Sequence, residues 1–269
     1  MKKALPYILY SLVILAAAGL LVYQFLSGKG PESRDITRCI LIIAGALTGM
    51  LRSRRRRTPG NKKALYQKAY GEFIQNAFFD SPKLEKKFYR AVDDYNLGRP
   101  AAAVGKLSDL RKECQRTADI YAVTVFTALC YDDMRAYEDA VKYYEDASRI
   151  REHTTLQSNV GMCYMRLGKN EAARRAYENA IRIDPHNANA YNNLATLYFR
   201  TADYYDALEY AELALQENEN MPQALGCAAV CSTLLGNQEE YQSYYRRAVA
   251  AGYDGHKIKN TIASLSAEL

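Results

Sequence analysis

The chain has 269 residues, of which 49% are hydrophobic and 25% charged, a balance typical of folded proteins and not of disordered ones. Its formal net charge of +6 is concentrated near the N-terminus, where residues 1–57 contain ten Lys and Arg but only two acidic residues, Glu32 and Asp35. The remaining residues are slightly acidic. They provide no concentrated basic face, so we expect no nucleic acid among the partners.

Two apolar segments near the N-terminus have the character of membrane spans. Leu5 to Leu26 is 22 residues without a charge, enough to cross a hydrocarbon core that needs about 20. Ile36 to Leu51 is apolar except for Arg38 and is short for a span by itself, but a G-x-x-x-G spacing gives it a surface for packing on the first segment. We predict a transmembrane hairpin over residues 1–57, with spans at about 5–26 and 36–51.

Basic residues flank the two predicted spans and predict their orientation. Lys2 and Lys3 precede the first span, and Arg52 and Arg54 to Arg57 follow the second. Positively charged flanks stay on the cytoplasmic side, so we predict an integral protein of a cell membrane, bacterial in type, with both termini cytoplasmic. The arginines from Arg52 to Arg57 are also suited to contact anionic lipid. A cleaved signal peptide is the alternative, but no A-x-A-like site follows the first segment.

The next residues predict a linker and one leading helix, together spanning 58–83. Thr58 to Asn61 has the composition of a turn, and from Lys62 to Phe79 apolar residues recur at every third or fourth position. We interpret this helix as a cap that packs on the element following it. A helix lying on the membrane surface is the less favoured alternative, because its polar face is not strongly basic.

A unit of 34 residues, Thr154 to Asn187, has the pattern of two paired helices. With Thr154 as position 1, small residues stand at positions 8, 20 and 27, where close helix packing needs them, and tyrosines stand at 11 and 24. Gly168 at position 15 predicts a left-handed turn between the helices, and Pro185 at position 32 predicts a helix break. The unit is therefore predicted to be helix, turn, helix, turn.

The same spacing recurs along the chain. The frame beginning at Ala188 repeats all three small residues, the frame beginning at Pro222 repeats those at positions 8 and 27, a frame over 121–153 is one residue short, and residues 84–120 form a degenerate copy. This pattern resembles the tetratricopeptide repeat, whose period is about 34 residues. The predicted repeats are thus 84–120, 121–153, 154–187, 188–221 and 222–251, with a capping helix in 252–269.

The resemblance implies an all-α solenoid of helix-turn-helix repeats, here following the two transmembrane helices, with a groove that binds a segment of another protein. In the family, positions 2, 5, 9, 12 and 13 of each repeat face this groove. Some family members clamp a partner's terminal carboxylate with Lys, Asn and Arg at set positions, and this chain matches that set in part. Asn193 at position 6 is included for this reason. The groove residues implied for this chain are Thr155, Ser158, Met162, Met165, Arg166, Asn189, Asn192, Asn193, Thr196, Phe199, Arg200, Gln223 and Val230.

Signatures of catalysis and of metal or cofactor binding are absent from the sequence. It contains no phosphate-binding glycine loop, nucleophile elbow or H-E-x-x-H motif. Its six cysteines form no C-x-x-C pair, and three of them share position 10 of their repeats, which indicates packing. We predict no enzyme, no cofactor and no metal site.

These features lead to one functional hypothesis and one alternative. The hypothesis is a membrane-anchored scaffold whose groove binds a segment with acidic and apolar side chains, because Arg166 and Arg200 stand one repeat apart beside Met162, Met165 and Phe199. Local pairing of the arginines, with Asp132 and Asp133 beside Arg166, is the competing interpretation. The alternative is a component of a membrane-associated enzyme or of a lipid-sensing assembly.

Overall fold

A computed structural model of the chain describes residues 59–267, and the predicted transmembrane hairpin over residues 1–57 lies outside them. Within the described range no helix combines the length and the apolar character that a membrane span requires. The chain divides into two compact units, Met1–Gly71 and Glu72–Leu269, and all the predicted repeats lie in the second.

The described residues form twelve α-helices and no strand. They are α1 (Pro59–Ile74), α2 (Pro82–Asn96), α3 (Pro100–Glu113), α4 (Thr117–Asp133), α5 (Tyr137–Ile150), α6 (Thr154–Arg166), α7 (Asn170–Ile183), α8 (Ala188–Arg200), α9 (Tyr204–Glu217), α10 (Pro222–Leu234), α11 (Gln238–Ala250) and α12 (Gly255–Ser266). From α2 onward each helix packs on the next one along the chain. The result is an all-α, tetratricopeptide-like solenoid.

Each predicted repeat frame contains one helix pair, and a left-handed residue links the two helices of every pair. Position 15 of the five frames has φ between 60° and 71° in four cases and 84° in the fifth. Glycine occupies this position in three frames, where it adopts a positive φ without a steric cost. Arg135 and Ala202 hold the same conformation in the other two frames, so the turn is a property of the repeat and does not depend on glycine.

Small residues between the helices allow the close approach that the sequence predicts. Ala173 and Ala180 are fully buried, and Tyr177 packs between the helices with 1% of its surface exposed. A Cβ atom placed on Gly161 would lie 2.6 Å from a ring carbon of Tyr177, closer than real Cβ contacts. The glycine at position 8 is therefore needed because the ring of Tyr177 lies directly on the α6 backbone.

The leading helix differs from the predicted span of Lys62 to Phe79. Helix α1 runs from Pro59 to Ile74 and has a non-helical residue, Tyr70, near its end. The chain then turns, because Asn76 and Phe78 adopt left-handed conformations with φ of 62° and 57°. The buried carboxylate of Asp119 accepts a hydrogen bond from the backbone N–H of Phe78 at 2.6 Å and holds this turn against α4.

The segment after Gly71 contacts more of the repeat region than the degenerate first repeat on which it was expected to pack. Phe78 packs on Phe88 of α2 with ring centroids 4.8 Å apart, as a cap on that repeat would. Phe73, however, lies 5.6 Å from the ring of His153, which directly precedes α6. Residues 72–78 therefore contact α2, the first turn of α4 and the residue that directly precedes α6.

The C-terminal helix closes the other end of the stack. Helix α12 begins at Gly255, and the side chain of Asp254 caps it by accepting hydrogen bonds from the N–H groups of His256 and Lys257. Ile258 is buried with 1% of its surface exposed and joins the core between α9, α10 and α11. This arrangement covers apolar surface that the last repeat would otherwise expose.

Candidate functional site

The first helices of the central repeats lie on the inner side of the stack. Helix α6 contacts α8, and α8 contacts α10, whereas the second helices α7 and α9 make at most sparse contacts with one another. In a curved stack the elements on the inner side are closer together than those on the outer side. The pattern therefore puts α6, α8 and α10 on the concave surface, which solenoids use for binding.

The predicted groove residues fall into three groups by exposure. Four are exposed to solvent: Arg166, Asn189, Arg200 and Gln223. Seven are half-buried: Thr155, Met162, Met165, Asn192, Asn193, Thr196 and Phe199. Ser158 and Val230 are buried, with 8% and 5% of their surfaces exposed. The first two groups belong mainly to α6 and α8, and both buried residues are inaccessible to a partner in this conformation.

The ends of the inner surface are covered by the chain itself. Every residue of α4 from Tyr121 to Ala128 is buried, so this stretch has no free inner face. In α10, a Cβ atom on Gly226 would lie 2.8 Å from a ring carbon of Tyr253. Val230 of the same helix belongs to the hydrophobic core. The open part of the predicted groove therefore lies on α6 and α8.

The sequence-based prediction does not restrict the open groove to α6 and α8, although the sequence contains a signal for this restriction. Helices α4 and α10 contain few charged residues and are apolar on all sides, as helices buried in a core are. Helices α6 and α8 carry polar residues on one side. The family's groove positions do not reflect this difference, so they include Val230 of α10 although it is buried.

The two arginines of the groove have different surroundings. The guanidinium of Arg166 lies over the ring of Tyr137, 5.8 Å from its centroid, and near Asp132. Burial raises the pKa of Asp132, and the positive charge of Arg166 acts in the opposite direction. Arg200 is exposed and forms no salt bridge within the described part of the chain. Arg166 is thus partly engaged, while Arg200 is available to a ligand.

The apolar side chains that precede the two arginines in the sequence pack against the hydrophobic core. Met165 packs against the cluster that contains Tyr177, Leu194 and Leu197. The ring of Phe199 lies 5.8 Å from that of Tyr204 and also contacts the core. Each side chain is held on one side and reaches solvent on the other, so the surface offers fixed apolar contact.

The polar side chains of the groove are mostly without internal partners. Thr196 donates a hydrogen bond to the backbone carbonyl of Asn192, 2.9 Å away, and so is satisfied within its own helix. Among residues 59–267 no hydrogen bond engages the side-chain amides of Asn189, Asn192 and Asn193. Each amide has both donors and an acceptor, which suits the backbone of an extended peptide.

The cysteines pack as their recurrence indicates. Cys130, Cys163 and Cys231, all at position 10, are fully buried. Burial raises the pKa of Cys130 and of Cys163 to about 12, so both thiols stay protonated at neutral pH. In the described range no group of three or more His, Cys, Asp or Glu side chains is placed to hold a metal ion.

Comparison with family models agrees with this geometry. A model of the TPR repeat matches residues 161–201, and a model of the tetratricopeptide repeat matches residues 187–220. Residues 161–220 are tetratricopeptide repeats. The matched range contains all of α7, α8 and α9 and the C-terminal part of α6.

Similar solved structures are themselves tetratricopeptide-repeat proteins or resemble them in fold. A crystal structure of MamA is 16% identical with a TM-score of 0.54 and covers 60% of this chain and 93% of its own. A MamA RS-1 ArsTM double mutant is 12% identical with a TM-score of 0.56, covering 64% and 95%. YrrB, described as a TPR protein with an unusual peptide-binding site, is 14% identical with a TM-score of 0.50, covering 68% and 91%. At these identities the likeness shows the fold alone.

Two curated proteins are similar over parts of their length. The peroxisomal targeting signal receptor of Yarrowia lipolytica is 25% identical over 185 residues, which is 66% of this chain and 29% of the receptor. The RNA polymerase-associated protein CTR9 of Caenorhabditis elegans is 32% identical over 77 residues, or 28% of this chain and 7% of CTR9. This chain therefore spans less than a third of the length of either relative.

Proposed function

We propose that this protein is a membrane-anchored scaffold whose tetratricopeptide repeats bind a short segment of another protein on the open groove of α6 and α8. The proposal is supported by the half-buried apolar side chains of Met165 on α6 and Phe199 on α8, each packed on the core, and by the exposed Arg200 that follows Phe199. YrrB, which is similar in fold, is a TPR protein with an unusual peptide-binding site.

The width of the open surface limits the length of the bound segment. Two neighbouring helices with axes roughly 10 Å apart present a surface on the order of 20 Å across. An extended chain rises by about 3.3 Å per residue, so the surface accommodates about six residues. The ligand we propose is therefore a linear segment and not a large folded face.

The chemistry of the groove selects acidic and apolar side chains. Arg200 is free to form paired hydrogen bonds with a carboxylate, and Arg166 contributes less because Asp132 already lies near it. Both guanidinium groups are exposed, so their ion pairs are screened by salt. We expect binding of moderate affinity that weakens as ionic strength rises.

Membrane anchoring is the second part of the proposal and rests on the sequence of residues 1–57. The uncharged segment from Leu5 to Leu26 is long enough to span a bilayer, and Arg52 and Arg54 to Arg57 favour a cytoplasmic location for the repeats that come after them. The scaffold would then hold its partner at the inner face of the membrane. The arginine cluster is also suited to bind anionic lipid.

A charge reversal at the groove tests the binding proposal. The full chain is purified from its own cells in detergent with its partners, in the wild-type form and as the double variant Arg166→Glu and Arg200→Glu. The control variant, Arg175→Glu and Arg246→Glu, changes the charge equally at two exposed arginines of the second helices α7 and α11. Thermal unfolding of each variant is compared first, so that only folded proteins enter the experiment.

The expected result is a partner lost from the groove variant and retained by the control. A peptide from that partner, titrated against the full chain, should bind more weakly as salt is added. If the same partner is retained at full strength by the groove variant, it binds elsewhere and the groove assignment is wrong.

A further inference from the structure

An exposed surface at the start of the repeat region combines one aromatic side chain with three basic ones. Phe79 has 84% of its surface exposed, the highest value among the large hydrophobic residues whose exposure the structure describes. Lys83, Lys86 and Arg90 follow it on α2 and are all exposed. Their spacing puts these three on one face of the helix. We call these four residues the Phe79 surface.

The outward position of Phe79 is fixed by its surroundings. Its neighbour Phe78 is buried with 3% of its surface exposed and has a φ of 57°, which is costly for an aromatic residue. Asp119 holds the N–H of Phe78, and Arg116 forms a 2.8 Å salt bridge with Asp80. The turn between α1 and α2 is thus tied on both sides of Phe79, and the exposed ring is part of an ordered structure.

The positive charge of the surface is not neutralised locally. None of the salt bridges among residues 59–267 involves Lys83, Lys86 or Arg90. Two nearby carboxylates are occupied by other partners, since Glu113 pairs with Lys87 and Asp80 with Arg116. Lys83, Lys86 and Arg90 therefore present three positive charges to solvent, and Asp93, half-buried and three residues after Arg90, is the acidic residue at the C-terminal end of this face.

We propose that the Phe79 surface docks on the anionic inner surface of the membrane in which the chain is anchored. Basic side chains are attracted to anionic headgroups, and large apolar side chains such as phenylalanine bury themselves at the boundary between headgroups and acyl chains. Phe79 follows the predicted basic flank at Arg57 by 22 residues. This inference rests on the proposed membrane anchor.

The predicted anchor makes a small docking surface sufficient. A tethered surface meets the membrane at a high effective concentration, so contacts too weak to recruit a free protein can keep it docked. Docking by the first repeat would leave the groove of α6 and α8 available, because those helices lie two and three repeats further along the stack. The surface therefore orients the scaffold and does not compete with its partner.

Fluorescence offers a direct test because the chain contains no tryptophan. The full chain carrying Phe79→Trp is reconstituted in vesicles of phosphatidylcholine with or without phosphatidylglycerol, the acyl chains being brominated to quench indole emission. Tyr205→Trp, at a site 70% exposed on α9, is the positional control. We expect quenching of Phe79→Trp in the anionic vesicles only, and none for Tyr205→Trp.

Charge reversal within the Phe79→Trp protein tests the basic stripe. The variant Lys83→Glu, Lys86→Glu and Arg90→Glu is compared with Lys142→Glu, Arg175→Glu and Arg246→Glu, which reverse three exposed charges elsewhere. Each basic residue near an anionic surface contributes about a fivefold preference, so removing three costs on the order of a hundredfold in docking. We expect the first variant to lose quenching and the second to retain it.

The outcomes separate docking from anchoring. Carbonate extraction at high pH tests the anchor, and a chain that is extracted would contradict the proposed membrane span. A chain that resists extraction yet shows no quenching at Phe79→Trp overturns the docking proposal alone. If the indole emission of Phe79→Trp shifts in native membranes but not in protein-free anionic vesicles, the docking proposal is also overturned. The Phe79 surface would then bind a protein.

Discussion

At the scale of single residues, the turn inside each repeat shows what a sequence reveals and what it conceals. Gly168 predicts a left-handed turn because glycine is the residue that adopts this conformation without a steric cost, and its φ is 71°. Arg135 and Ala202 give no such signal, yet they adopt φ of 60° and 62°. Their conformation is imposed by the helices on either side, which only the period of the repeat could have predicted.

The close contact between Gly161 and Tyr177 gives a prediction at the same scale. Gly161→Ala adds a methyl group 2.6 Å from a ring carbon that is itself fully enclosed. Overpacking of this kind costs typically about 1 to 3 kcal/mol. We expect the midpoint of thermal unfolding of the purified chain to fall, and Gly161→Leu and Ala180→Leu to lower it further.

Gly105 is the matched control for this substitution. It lies within helix α3, is exposed, and has no atom within 4 Å of the position that a Cβ would take. Alanine there should be neutral or should raise the midpoint, since glycine within a helix costs roughly 0.5 to 1 kcal/mol relative to alanine. An equal effect at both sites would show that the contact with Tyr177 is unimportant.

At the scale of elements, periodicity identifies the helices well but not their burial. The spacing of small residues predicts the helix pairs, since each pair needs close contact at the same positions. It does not show which inner faces are free, because α4 and α10 are covered by other parts of the chain, including Tyr253 on Gly226. The predicted groove was therefore wider than the open surface on α6 and α8.

The leading helix shows a second limit of local reasoning. Apolar periodicity continues through Phe78, which explains why the prediction extended to Phe79. The helix nevertheless ends at Ile74, because Phe78 bonds to Asp119, a residue 41 positions away. A contact at that distance in the chain leaves no trace in the local pattern.

The bond between Phe78 and Asp119 leads to a prediction at the scale of elements. Asp119→Ala removes the buried acceptor of the Phe78 N–H and leaves that donor unsatisfied, at a cost of about 1 to 3 kcal/mol. We expect faster hydrogen exchange at backbone amides of residues 73–80. Asp109→Ala is the control, because its side chain is 79% exposed and pairs only with Lys112. Unchanged exchange in the Asp119 variant would show that the turn is held by other contacts.

At the scale of the whole molecule, the repeat region behaves as a series of similar units with closed ends. Each helix pair contacts its neighbours along the chain, and the segment from Glu72 to Asp80 and helix α12 cover the two ends. Such an arrangement is predictable from the period, because stability in a solenoid comes from neighbouring repeats. What the period cannot predict is where the stack is held in the cell, since this depends on residues 1–57.

The location of the repeats is therefore tested in intact cells. Protease added from outside should leave residues 61–269 uncleaved, because Arg52 and Arg54 to Arg57 keep the following chain on the cytoplasmic side. The same protease, added after the cells are lysed, should cleave the chain, which controls for a fold that merely resists digestion. Cleavage from outside in intact cells would mean that the segment from Ile36 to Leu51 does not span the bilayer. The groove would then face the exterior, so its partner would have to be an exterior protein. The Phe79 surface would likewise have to dock on the outer surface of the membrane.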